Sequence, residues 1–186
     1  MKINLYALKK IYFKALILVM FVIIQCDQIP DNIPDYEVAA KWADMTLFVT
    51  KNTPANSPTF ASRCLGYLGL AQYESVVHGD ENHQSLVGQL NQLYELPTPE
   101  DGAEYNWLMV LNHSQSALLK LIYVQTSDKN KQKIDSLENR IHKILLKKTN
   151  KATANRSFTF AKHLAKSLFE WSKSDGGHRA YLRNFD

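Results

Sequence analysis

Six histidines, two cysteines and an arginine–glutamate couple hold most of the reactive capacity of this 186-residue chain. The histidines are His78, His83, His113, His142, His163 and His178. A helical zinc site needs two imidazoles on one face, as in paired i, i+4 histidines or an H-E-x-x-H run. None of the six is so spaced, and no metal is expected. His142 and His163 fall among lysines on amphipathic segments, which predicts a solvated position for both. His178 follows Gly176-Gly177 directly and is the most distinctive of the set.

Nucleophilic chemistry has one candidate within the helical part of the chain. Cys64 is flanked by apolar residues, whereas reactive thiols lie in partly exposed, electropositive surroundings, so it is predicted to be a packed small hydrophobe. Neither a G-x-S-x-G elbow nor a glycine-rich phosphate loop occurs. Arg63 and Glu74 are 11 residues apart, which places them on one helical face but too far apart to pair. Partners on neighbouring helices, or the bundle surface, are expected for both, with ligand binding as the alternative. Asp175 with Gly176-Gly177 reads as a helix exit.

The elements that position these residues are all helical. Tyr36 to Thr50 places Val38, Trp42, Met45 and Val49 on one stripe. Pro58 to Val77 opens with Ser57 as cap and Pro58 in the first turn, and it is apolar nearly all round, which predicts the central helix of a bundle. Gly66 and Gly69 within it each cost about 1 kcal/mol relative to alanine, which predicts a helix crossing closely there. A short helix is expected near Gln84 to Tyr94. Another is expected from the Thr98-Pro99 cap to Val124, with Trp107, Leu111, Ser114, Leu118, Leu121 and Ile122 as its stripe. Lys131 to Lys148 and Thr153 to Ser174 complete the set, the latter stopped by Gly176-Gly177. Trp42, Trp107 and Trp171 sit on apolar stripes and are expected in the core. The fold class is all-α, a helical bundle of about five principal helices.

The first 25 residues differ in kind. Lys2, Lys9, Lys10 and Lys14 precede an uninterrupted apolar run from Ala15 to Ile24, the layout of an export signal. As a helix this run spans about 15 Å, roughly half a bilayer core, which disfavours a permanent span. Ile23-Ile24-Gln25-Cys26 resembles a lipobox, although Gln25 stands where a small residue is usual. Acylation of Cys26 is the favoured outcome, with ordinary cleavage, a retained anchor or an incidental cysteine as alternatives. Residues 26–35, with two prolines, read as an extended tether and residues 36–186 as the helical domain. Four of the 22 basic residues lie in the signal, and the 18 that remain equal the 18 acidic ones, so the mature domain is formally neutral. Nucleic acid is therefore not an expected partner.

Three stretches, Ser57 to Gly79, Gln84 to Leu96 and Phe158 to Asp186, occur in one order and together resemble the N-terminal half of bacterial vanadium-dependent haloperoxidases. These belong to the type 2 phosphatidic acid phosphatase superfamily, and the resemblance spans about Val38 to Asp186. It implies an all-helical scaffold, and in a complete member an active site binding vanadate or phosphate through lysine, arginine and histidine side chains. Those residues belong to the motifs K-x6-R-P, P-S-G-H and S-R-x5-H-x3-D, none of which is present here. No catalytic residue, cofactor or metal ligand is carried over to this chain. The expectation is an exported, membrane-anchored scaffold portion, inactive alone. It would be a truncated product, one half of a pair whose C-terminal catalytic half is encoded separately, or a stand-alone envelope lipoprotein that binds a partner.

Overall fold

The computed structural model describes residues 31–182. The signal segment, Cys26, the start of the tether and residues 183–186 lie outside the described residues. The described residues form five helices: α1 Asp35–Lys51, α2 Pro58–Val76, α3 Trp107–Ile122, α4 Asp128–Leu146 and α5 Lys151–Ser172. Short 3₁₀ turns follow at Val77–Gly79, Lys173–Asp175 and Ala180–Leu182, and the described residues contain no strand. The chain is thus an all-α helical bundle. None of the described helices is long and apolar enough to cross a membrane. Residues 31–34 lie against the bundle, since Ile33 is buried and Asp31 meets Lys147 at 2.8 Å.

Four helix starts share one local device. The side chains of Ser57, Asn106, Ser127 and Asn150 accept from the backbone N–H groups of Phe60, Met109, Asn130 and Thr153 respectively. Each satisfies a donor that the first turn leaves unpaired, at about 1 kcal/mol apiece. At the other end of the fold Gly176 adopts φ 75°, the left-handed geometry that ends the turn after α5.

The central helix is α3, not α2 as expected. It packs against each of the other four helices. Its polar run Asn112-His113-Ser114-Gln115-Ser116 is buried because hydrogen bonds replace water. Asn112 accepts from Trp42 Nε1 at 3.0 Å and donates to the Glu138 carbonyl at 3.0 Å. Ser114 meets Ser75 at 2.5 Å, and Gln115 donates to the Leu68 carbonyl at 3.0 Å. By contrast α2 leaves Leu65, Gly66 and Gly69 exposed, and a Cβ added at either glycine would meet open space among the described residues. Among the described residues no helix crosses closely there, and the described partners of α2 bury Phe60, Cys64, Leu68 and Ala71 on one face.

Three further expectations are corrected. Residues 84–94 form turns rather than a helix, because Gly88 and Gln92 both take positive φ and Gly88 N donates across the turn to the Leu93 carbonyl. The helix expected from Thr98-Pro99 begins instead at Asn106, whose backbone N–H donates to Ser157 Oγ at 2.9 Å. Between them Gly102, at φ 68°, turns the chain away from a helical path. Leu121, placed on the buried stripe by its spacing, is 38% exposed.

Candidate functional site

The densest group of titratable side chains joins α3 to α4. Glu138 Oε1 lies 2.6 Å from His113 Nδ1, and its other oxygen accepts from Ser116 Oγ. Lys120 Nζ stands 3.5 Å from Glu138 and 2.7 Å from Asp135. On its far side His113 Nε2 is 3.0 Å from His142 Nδ1. Helical repeat explains the convergence: His113, Ser116 and Lys120 occupy one face of α3, and Asp135, Glu138 and His142 one face of α4.

The chemistry of this chain follows from proton counting. His113 must carry hydrogen on Nδ1 to donate to a carboxylate, so its Nε2 is either an acceptor from His142 or, in the imidazolium, a donor to it. One added proton is accommodated by either ring. A second would put two N–H groups face to face across 3.0 Å. Burial, then the neighbouring His113 charge, hold His142 below its usual basicity, with Glu138 opposing. Burial raises the Glu138 carboxyl, but the bonds from His113 and Ser116 and the Lys120 charge outweigh it, and the group is held below the usual carboxylate range. Ser116, Glu138, His113 and His142 thus form one hydrogen-bonded chain between α3 and α4, with a carboxylate between the serine and the two rings. Ser116 is buried, and its hydroxyl is committed to the Glu138 carboxylate.

A cleft of about 690 Å³ lies over this chain, between α3 and α5. Its floor includes His113, Ser116 and Glu138, and its walls include Leu121, Phe158 and Phe169. Lys120, Lys162 and Lys166 stand around it. Leu121 and Phe169 also line a smaller cavity of about 240 Å³ toward the C-terminal turn, with Arg63, His178 and Arg179.

Arg63 fastens that turn. Its Nε is 2.5 Å from Asp175 Oδ2, and its guanidinium also donates to the Ser172 carbonyl. Tyr67 donates to the same carboxylate at 2.7 Å, and Gly177 N donates at 2.7 Å. Burial opposes ionisation of Asp175, yet Arg63, Tyr67 and Gly177 together hold its carboxyl low. Burial and the charges of Arg179, Lys173 and Arg63 lower the basicity of His178. The expected helical partner for Arg63 is therefore Asp175, just past α5. Glu74 differs from expectation, because its partners are uncharged: it is 1% exposed and accepts from Ser85 Oγ at 2.9 Å and Leu86 N at 2.8 Å. It anchors the irregular segment to α2.

The remaining candidates are ordinary. Cys64 is fully buried, and burial pushes its thiol up to about 11, against the opposing influence of Tyr123 and Arg63. His163 is exposed as expected, whereas His142 is half-buried and bonded to His113, correcting its solvated reading. His83 meets Asp80 at 2.9 Å, and His78 stands beside the rings of Trp107 and Phe160. Trp42 is in the core, while Trp107 and Trp171 are only half-buried. No group of three or more metal-ligating side chains is found among the described residues. Comparison with descriptions of protein families, with curated proteins and with solved structures found no match to this chain.

Proposed function

We propose that this chain is the exported, lipid-anchored N-terminal scaffold portion of a vanadium-dependent haloperoxidase or type 2 phosphatidic acid phosphatase-like protein. Cys26 carries the acyl anchor to the envelope membrane, and the residues that grip vanadate or phosphate come from a C-terminal catalytic unit outside this sequence. The observation that supports this reading best is the cleft between α3 and α5 with its apolar wall. Leu121, 38% exposed, lines it with Phe158 and Phe169, and Val124, 52% exposed, lines the smaller cavity that shares Leu121 and Phe169 with it. The bundle behind it already has its own core, so the face is free to dock a second unit. The sequence resemblance and the lack of all three oxyanion motifs support a positioning role over a chemical one.

Halide oxidation tests the reading. The purified chain, given vanadate, peroxide and bromide, is expected to show no turnover and to release vanadate on dialysis. It is also expected to leave phosphate esters intact. Adding a family polypeptide that carries the three motifs is expected to yield a complex and restore activity. Turnover by the chain alone would refute the proposal, and a complex without activity would favour a stand-alone binding lipoprotein. Acyl chains on Cys26 are expected by mass spectrometry, and a mature terminus elsewhere would remove the anchor.

A further inference from the structure

Charge and shape along the α3–α5 cleft specify what it receives. Ala117, Lys120 and Leu121 follow helical spacing along α3 and line the cleft, and Val124, past the helix end, lines the smaller cavity that continues from it through Leu121 and Phe169. On α5, Phe158 and Phe169 are three turns apart, a length of about 16 Å. A trough bounded by two helices over this length suits a rod-shaped occupant better than a small molecule that must be largely enclosed.

Its charges are unequal. Glu138 and Asp135 hold Lys120, and Lys173 holds Glu170 at 2.6 Å. Lys162 and Lys166 have no carboxylate partner among the described residues, and Lys162 instead lies 4.3 Å over the Phe158 ring. They are i, i+4 neighbours on α5, so two ammonium groups stand one turn apart beside an apolar trough. The cleft and its rim hold four ammonium groups, Lys120, Lys162, Lys166 and Lys173, against three carboxylates, Asp135, Glu138 and Glu170, an excess of one positive charge.

We propose that the α3–α5 cleft binds an acidic amphipathic helix, its apolar stripe against Leu121, Phe158 and Phe169 and two carboxylates one turn apart against Lys162 and Lys166. This deepens the scaffold reading, on which it rests, by naming the chemistry of the docking segment. Helix-in-groove recognition supplies affinity through the apolar anchors, while the charges set specificity and register.

A charge swap tests it. Two labelled helical peptides of about four turns share one leucine stripe, flanked by glutamates in the first and lysines in the second. Fluorescence polarisation with the full chain is expected to show binding of the glutamate peptide and at least tenfold weaker binding of the lysine peptide. The K162E/K166E variant, at two exposed positions, is expected to reverse that preference while keeping its melting temperature. Dodecyl phosphate supplies the arm for a lipid-like anion. Equal binding of both peptides, no binding of either, an unreversed preference, or binding of dodecyl phosphate alone overturns the proposal. Reconstituted halide oxidation is scored separately, so activity without peptide preference sinks the cleft assignment and leaves the scaffold reading standing. Peptide preference without activity does the opposite.

Discussion

Removing the Glu138 carboxylate probes the link between α3 and α4 most directly. Glu138→Ala strands two buried donors, His113 Nδ1–H and Ser116 O–H, and leaves Lys120 with Asp135 alone. An unsatisfied buried donor costs about 1–3 kcal/mol. The Glu138 side chain is 18% exposed, so entering water recovers part of that loss, and a total of about 2–4 kcal/mol is expected. For a domain stable by about 5–15 kcal/mol this is a large fraction, equivalent to a melting shift of roughly 5–15 °C. Glu138→Gln keeps one acceptor for His113 and offers its amide to the Ser116 oxygen, so about 1 kcal/mol is expected.

The assay is urea unfolding followed by circular dichroism across pH. The wild-type carboxyl is held below its ordinary 4.5, so its contribution is fully present above that value. It disappears as pH falls through the folded value. The difference between wild type and the glutamine variant should therefore be constant on the alkaline side of the histidine range and shrink in acid. An alanine variant within about 0.5 kcal/mol of wild type at neutral pH would refute the reasoning, because this is the scatter of ordinary surface substitutions.

Other outcomes follow from the same geometry. His142 titrates below its ordinary 6.5, so the unfolded chain binds more protons just under that value, and stability should fall as pH drops from 6.5 toward the folded value. His142→Asn should flatten that limb, and an unchanged slope would contradict the shared-proton account. Gly79→Ala would place its Cβ 2.4 Å from the Trp107 ring, with an expected loss of about 1–3 kcal/mol in thermal unfolding. Gly69→Ala meets open space and should stabilise the isolated chain by about 0.5–1 kcal/mol, measured the same way. Cys64 should resist a thiol reagent at pH 8 in the native chain and react at once in denaturant, with peptide mapping to separate it from Cys26.

Local codes were legible in the sequence. Apolar spacing located α1, α2, α4 and α5, and Ser57-Pro58 and Gly176 marked a start and a stop, because caps and periodicity depend on neighbours within a turn or two. The irregular stretch before α3 was not, since its turns need positive φ at Gln92 and Gly102 and a buried Glu74 supplied from another helix.

What the sequence determined by itself is the class: a helical chain with one core and one buried, unreactive thiol. Tertiary structure decided which helix is central and which polar groups meet. The run Asn112 to Ser116 is wholly polar, yet it is buried because Trp42, Ser75, the Leu68 carbonyl and Glu138 satisfy it from three other helices. Likewise, His113 and His142 are 29 residues apart and show no ligand spacing, so only the packing of α4 on α3 brings their rings together. Periodicity records which face a residue occupies. Whether that face meets water, a partner's hydrogen-bonding group or open space is set by the other helices.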